Sequence, residues 1–357
     1  MKTLKQILGI TLISFFAISC SNDAEQDVPA PTLAPKDIYT AGYEYNASGK
    51  QVAKYWKNTI ETVITTGAKN AEATDIIVYN DIVYVTGSEI INSAYEPFLW
   101  KFDTHGNRIT LALPTISAGT KDGYASAIAV SGNDIYVAGK ETNAAGKRVA
   151  KYWKNGVATI LSDGSMSCDV TCIAVVGNDV YVGGSENNAA GNSIAKYWKN
   201  GVSINLTNGM QDALIQSIVV KDNIVYASGA ENINAATMVS KYWKNGVATN
   251  LTTNYVAVSL AMTVVNNDVY VTDSSSDGLN SSYVSKVWKN DTATNVSSNN
   301  QTAYAISVVG TDIFVAGNEK STTTGESFAS YWRNGVRNSL TDGTYNAMAY
   351  SIFVTTN

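Results

Sequence analysis

The sequence predicts an all-β fold: a seven-bladed β-propeller of four-stranded antiparallel blades, closed by a C-terminal inner strand that pairs with the N-terminal blade. Three observations carry this expectation. All seven tryptophans, Trp56, Trp100, Trp153, Trp198, Trp243, Trp288 and Trp332, stand at one repeat position, with successive spacings of 44, 53, 45, 45, 45 and 44. A period of this length with one tryptophan per unit fits propeller blades and exceeds that of ankyrin or leucine-rich solenoids. Each unit divides at turn signals into four strand-sized pieces, and the repeat is out of phase at the two ends of the chain.

The run from Ser126 to Gly164 shows the four pieces in order. "SAIAV" leads through Gly132-Asn133-Asp134 into "IYVAGKE", "TNAAG" turns into "KRVAKYW", and Asn155-Gly156 turns into "VATIL", which ends at Asp163-Gly164. Asn-Gly between strand-like runs is a strong hairpin signal, because both central residues of a type I′ turn need positive φ. We label the strands A to D in that order, with A nearest the axis. The composition agrees: 45% hydrophobic, 15% charged, 21 Tyr and 27 Gly favour strands and tight turns over helices.

At the ends, "DIYTAGYE" from Asp37 reads as a strand B, and "AYSIFVTTN" from Ala349 to Asn357 reads as a strand A without its blade. An open solenoid would leave these as unpaired edges, whereas a ring sets the last strand A beside the first strand B and removes both. The ring then counts seven blades over residues 37–357. The run "VYVGG" at Val180 to Gly184, followed by "YW" at Tyr197, resembles the kelch and YVTN-type propellers; the resemblance extends over essentially all of that region and implies the same fold.

Residues 1–36 have another character. Lys2 and Lys5 precede an apolar run from Ile7 to Ile18, too short to span a bilayer comfortably and placed like a secretory signal. "AISC" ends it at Cys20, which resembles the lipobox of bacterial lipoproteins and implies a signal peptide over 1–19 with acylation of Cys20. Residues 20–36 carry three prolines and three acidic residues in "SNDAEQDVPAPTLAP" and read as a disordered tether. Acidic residues after the cysteine resemble export signals of Bacteroidetes surface lipoproteins, and Ser21 does not resemble the retention aspartate of enteric bacteria. The resemblance implies the outer membrane, periplasmic or surface-exposed. Cys168 and Cys172, four apart on one strand, are poorly spaced for a disulfide and read as small buried thiols.

Within a blade, period-2 alternation places Val137, Lys151 and Trp153 on one face and Tyr136 and Tyr152 on the other, if Glu141 pairs with Lys147. Both faces touch neighbouring blades, so these aromatics are expected to fill the wedges. The lysine of "KYW" recurs as Lys54, Lys151, Lys196, Lys241 and Lys286, with Phe98 and Ser330 in its place elsewhere. If buried it needs a partner, and the aspartate of "NDIY" (Asp134, Asp179, Asp268, Asp312) in an adjacent blade is a candidate.

Catalytic sets are nearly missing. His105 is the single histidine; it sits in the lengthened C–D hairpin of the second blade, with no nucleophile beside it. No cofactor is implied, and there are no His or Cys clusters for zinc. A net charge of -5 without clustered Lys and Arg argues against nucleic acid. One series stands out: Glu44, Glu89, Glu141, Glu186, Glu231 and Glu319 recur five residues after the strand B aromatic, with Ser275 as the exception. They mark the face with the longer B–C and D–A loops, where recognition resides on rigid scaffolds. Either they contact a ligand, or each pairs across its hairpin, as Glu44 could with Lys50 and Glu141 with Lys147. Residues just before strand A, namely Thr74, Ser126, Thr171, Gln216, Tyr304 and Tyr350, with Leu260 apolar, are expected to line the channel mouth.

The expected function is a lipid-anchored envelope binding or scaffolding module, monomeric, touching the membrane only through its N-terminal lipid. Its partner would be a glycan or an envelope protein, and the ligand-binding candidates are the six glutamates with Tyr304 and Tyr350. The alternative is a polysaccharide-acting hydrolase or lyase on the same scaffold.

Overall fold

The computed structural model describes residues 34–109, 121–234, 237–252, 256–259, 261–276, 284–296 and 301–357. Cys20, the 1–19 segment and Leu260 lie outside the described residues. The chain opens on β1 (Pro35–Tyr45), β2 (Gln51–Lys57) and β3 (Ile60–Val63), strands B, C and D of blade 1. Blade 2 has β4 (Ala71–Tyr79), β5 (Ile82–Ile91) and β6 (Ala94–Asp103), and an isolated bridge from Phe102 to Arg108 marks its strand D. Blade 3 runs through β7 (Lys121–Ser131), β8 (Asp134–Thr142), β9 (Arg148–Lys154) and β10 (Val157–Ile160). Blade 4 repeats this with β11 (Cys168–Val176), β12 (Asp179–Asn187), β13 (Ser193–Lys199) and β14 (Val202–Asn205). In blade 5 the strands are β15 (Ala213–Lys221), β16 (Ile224–Asn234), β17 (Thr237–Lys244) and β18 (Val247–Asn250). Blade 6 divides its strand A into β19 (Val256–Ser259) and β20 (Met262–Val265), followed by β21 (Asp268–Ser276), β22 (Val284–Lys289) and β23 (Thr292–Asn295). Blade 7 is β24 (Gln301–Val309), β25 (Asp312–Lys320), β26 (Ser327–Arg333) and β27 (Val336–Ser339), and β28 (Ala347–Thr356) ends the chain.

The ring closes as the phase shift predicts. β28 pairs antiparallel with β1, from Ile38 opposite Val354 to Glu44 opposite Ala347, so the last strand is the inner strand of the first blade. The seven inner strands β28, β4, β7, β11, β15, β20 and β24 contact one another in sequence, and β24 returns to β28. Strand B opens at Pro35, two residues before the expected Asp37.

The recurring "KYW" solves one packing problem seven times. Alternation sends Tyr and Trp to opposite faces of strand C, and the tryptophan of each blade meets the strand B aromatic and the strand C residue of the blade before it, which is tyrosine in five blades and Leu99 or Val287 in the other two. Trp198 packs on Tyr136 and Tyr152, Trp243 on Tyr181 and Tyr197, and Trp100 on Tyr39 and Tyr55. Across the closure Trp56 packs on Phe314 and Tyr331. Burying 150–250 Å² per aromatic at about 25 cal/mol per Å² is worth roughly 4–6 kcal/mol each, so these wedges hold the ring together. The outer D strands are only four residues long where they form, which limits the exposed pairing edge.

The B–C register is two residues from that expected. Glu141 lies opposite Val149, and Glu44 opposite Val52, rather than Lys147 and Lys50. A shift of two leaves every side chain on its expected face, so Val137, Lys151 and Trp153 do share one. The cause is the loop: Asn143 accepts from the amides of Ala145 and Lys147 through its side chain, and its own amide bonds to the Lys147 carbonyl, so a compact five-residue turn takes up the difference.

Six of the seven inner strands carry a β-bulge at the same height. The pairing skips Thr74, Ser126, Thr171, Gln216, Tyr304 and Tyr350 in their respective blades. Opposite each bulge strand B has a glycine: Gly42, Gly87, Gly139, Gly184, Gly229 and Gly317. A Cβ there would stand 1.8–2.0 Å from a bulge carbonyl oxygen, as at Gly184 against Asp169. Blade 6 has Asp273 at this position, and there strand A is divided into two.

Candidate functional site

A bulge turns the extra residue out of the ladder and re-aims its side chain. All six bulge residues therefore point inward and line one cavity of about 560 Å³ at the mouth of the central channel, joined by Ala261 in blade 6. These are the six mouth residues expected from the alignment of units. Two are structural as well: Thr74 donates to the carbonyl of Ala125 at 2.9 Å and Thr171 to that of Ile215 at 2.8 Å, each on the next blade.

The mouth is not seven-fold symmetric. Tyr304 and Tyr350 meet edge-on at 5.2 Å between ring centroids, Tyr350 lies 5.7 Å from Tyr43, and Tyr43 lies 5.6 Å from Tyr45. A second pair, Tyr95 and Tyr124, stands at 4.8 Å. Glu72 lines the cavity beside both groups, close enough that its charge acts on Tyr43, Tyr95, Tyr124 and Tyr350. Burial raises the Glu72 carboxyl above the ordinary range, and Lys140 draws it part-way back. Burial also pushes Tyr124 up to about 12 and Tyr350 well upward. Lys140, the other charged lining residue, is bound to Asp169 of blade 4 and lies 5.5 Å over the Tyr124 ring.

Sequence reasoning did not select Glu72 or Lys140. Both break the repeat at otherwise variable positions. Lys140 corresponds to Tyr43, Ser88, Ser185, Ala230, Ser274 and Asn318, and Glu72 to Tyr124, Asp169, Leu214, Thr302 and Met348. Comparing units for departures, rather than for repetition, would have exposed them.

The six glutamates lie outside the cavity lining. Four are engaged by the recurring lysine ten residues later on the same blade: Glu44 with Lys54 at 2.5 Å, Glu141 with Lys151, Glu186 with Lys196 and Glu231 with Lys241. The two series are thus one feature, and these four lysines bond to the glutamates rather than to "NDIY" aspartates of an adjacent blade. Those aspartates bind the cation after the tryptophan on their own blade: Asp134 with Lys154 at 2.7 Å, Asp179 with Lys199 at 2.9 Å, Asp268 with Lys289 at 2.8 Å and Asp312 with Arg333 at 2.6 Å. The turn asparagine also donates to each, as Asn155 does to Asp134 at 2.7 Å. Hydrogen bonds from these cations and asparagines hold the aspartates below the ordinary carboxylate range. The exceptions agree with the pairing. Where Phe98 replaces the lysine, burial raises the Glu89 carboxyl; where Ser330 does, Glu319 turns to Arg337 at 3.1 Å.

Cys168 and Cys172 are free and buried, and burial pushes both thiols up to about 12. His105 is exposed in the turn after β6, where the Asp103 carboxylate accepts its amide. Among the described residues no helix is long and apolar enough to cross a membrane.

No protein family and no curated protein matches the sequence. Solved structures match in fold. The chain is similar to an acylaminoacyl peptidase from Pyrococcus horikoshii, with a TM-score of 0.55 and 10% identity, covering 87% of this chain and 52% of that one. It is also similar to a puromycin-hydrolyzing peptidase from Mycobacterium tuberculosis, with a TM-score of 0.51 and 11% identity over the same shares, 87% and 52%. The chain therefore spans about half the length of each. At such identity the likeness shows the fold alone.

Proposed function

We propose that this protein is a lipid-anchored binding module of a bacterial outer membrane, held through Cys20 and presenting its tyrosine-lined channel mouth to a glycan or protein ligand. One observation carries the binding reading: a scaffold whose repeats agree in packing, pairing and ion pairs departs from symmetry at the mouth. Packing alone gives Tyr304, Tyr350 and Glu72 no reason to differ from Thr74, Thr171 or Leu214. A concave polar and aromatic cavity of this size suits a small ligand or one residue of a larger one. The propeller acts as a monomer, without nucleic acid, and meets the membrane only through the lipid.

The hydrolase or lyase reading has less behind it. Among the described residues Glu72 is the one carboxyl lining the cavity, whereas acid/base glycoside hydrolysis uses two, and four of the six glutamates are committed to lysines.

Two measurements test the proposal. Mass spectrometry of the protein from its host should find an acylated Cys20 at the N-terminus; an unacylated terminus elsewhere defeats the anchor. Glycan arrays and pull-downs from envelope extracts should give binding that the double substitution Tyr304→Ala/Tyr350→Ala abolishes while leaving thermal stability near the parent's. Turnover of a bound polysaccharide would replace the binding reading with the enzymatic one.

A further inference from the structure

The chain contains an internal reference for what the mouth can hold. Between blades 3 and 4, the Lys140 ammonium lies over the Tyr124 ring and binds the Asp169 carboxylate of the next blade. The register makes this comparable around the ring: Lys140 pairs with Tyr124 across blade 3, as Tyr43 pairs with Met348 across blade 1. Glu72 in blade 2 is therefore the counterpart of Asp169, and Tyr43 is the counterpart of Lys140. A carboxylate has been kept and its cation has been replaced by a tyrosine.

Glu72 is the longer acid, lines the cavity, and forms no hydrogen bond or ion pair among the described residues; Lys140 acts on it only from a distance. Around it stand Tyr43, Tyr350, Tyr95 and Tyr124. A largely desolvated carboxylate with tyrosines about it and no cation of its own suits an external one, because rings and carboxylate both favour positive charge. The formal charge of -5 draws cations toward the protein at longer range.

We propose that the channel mouth binds an organic ammonium group, seated on Glu72 among Tyr43, Tyr350 and Tyr124, with the neutral remainder of the ligand lying toward Thr171, Gln216 and Tyr304. The ammonium can come from a lysine side chain of a protein or from a free polyamine. This rests on the mouth being the binding site proposed above, and names the chemistry it selects.

Isothermal titration of the full chain tests it with four compounds: Nα-acetyl-lysine methylamide, the same compound acetylated on Nε, spermidine, and a neutral oligosaccharide. Both amines, or one of them, should bind, and Nε-acetylation should remove binding. Stronger binding by the lysine amide identifies a protein source, and stronger binding by spermidine a polyamine source. Glu72→Gln should weaken the better amine about tenfold or more, the worth of a charge-assisted contact, and Tyr350→Ala should weaken it independently. Equal binding of the Nε-acetylated compound, no heat from either amine at millimolar concentration, or an unchanged affinity in Glu72→Gln overturns the ammonium inference. If the oligosaccharide alone binds, and Tyr350→Ala removes it, the mouth remains a binding site and only its cation selectivity is refuted.

Discussion

Deleting β28 is the sharpest test of the ring. The cut from Ala347 to Asn357 takes away the inner strand of blade 1 and the whole ladder from Ile38–Val354 to Glu44–Ala347. It removes Ile352 and Val354, 8% and 7% exposed, together with the fully buried Ala347 and Ala349. Burying the two larger side chains alone is worth roughly 3–6 kcal/mol, a large share of the ~5–15 kcal/mol that holds a domain folded. The cut also takes Ser351, whose hydroxyl donates to the Asp75 carboxylate at 2.6 Å, and leaves β1 and β24 facing a gap. The truncated chain should aggregate or melt far below the parent in calorimetry and size-exclusion chromatography. Removing only the exposed Thr356 and Asn357 should change little. Adding the excised segment as a peptide should restore a folded, monomeric species. A truncated protein that stays monomeric and nearly as heat-stable as the parent would refute closure and leave an open array with a frayed end.

Other outcomes follow from the same contacts. Gly184→Ala places a Cβ 1.9 Å from the Asp169 carbonyl oxygen, so the bulge must move; a loss of about 2–4 kcal/mol in urea unfolding is expected, against about 1–2 kcal/mol for Gly191→Ser, where the turn is open and only the positive φ is strained, and a smaller loss in Gly184→Ala than in Gly191→Ser would contradict the bulge packing. Lys196→Met strands Glu186 beside a side chain only 7% exposed and should cost about 2–3 kcal/mol, whereas Lys196→Met/Glu186→Gln should recover most of it, since an unpaired buried charge costs more than none. Because Asp134, Asp179, Asp268 and Asp312 have depressed folded values, their stabilisation is present above the ordinary aspartate pKa, about 3.9, and is lost as the pH falls through the folded values. The urea midpoint should drop over that acid range, less steeply in Asp134→Asn/Asp179→Asn, and an unchanged slope would show the pairs to be energetically idle. Asp75 runs the other way: burial raises it against the hydrogen bonds from Ser351, Ile128 and Ile76, so its contribution is fullest below the unfolded value and fades as the pH rises through the folded one.

The ring was readable because its determinants are local and repeated. Asn-Gly turns fix hairpins, the Trp spacing fixes the unit, and the displaced phase of Asp37 and Ala349 fixes closure. Even the mouth residues follow from counting back along strand A. What counting could not supply was the partner of each charge. The connection after Glu141 is two residues longer than in a simple hairpin to Lys147, because Glu141 lies opposite Val149, and that small difference carries Glu141 to Lys151 and leaves the "NDIY" aspartates to the cation beyond the tryptophan. Strand faces survive such a shift and side-chain partners do not, which is why the faces were foreseen and the ion pairs were not. The bulges were equally hidden, since a bulge shows in sequence only as a glycine on the opposite strand, and glycines are common in this chain for other reasons.

Blade 6 shows how departures from a repeat should be weighed. Its Asp273 stands where six blades have the glycine that faces the bulge, and its Ser275 where they have the glutamate. Both changes have structural answers. A side chain at 273 cannot coexist with the bulge carbonyl, and strand A is divided there; the buried Asp273 carboxylate accepts from Ser240 of blade 5 at 2.9 Å and lies opposite Lys286 in register, so an acid remains on that lysine's side of the blade although the glutamate is gone. The departure is absorbed by the blade and its neighbour. Glu72 is different. No cation bonds to it and Lys140 acts on it only from a distance, its strand keeps the regular bulge, and the glycine opposite, Gly87, is retained. A departure that the scaffold answers belongs to folding, and one that it leaves unanswered, facing a solvent-open cavity, is the observation on which the proposed ligand rests.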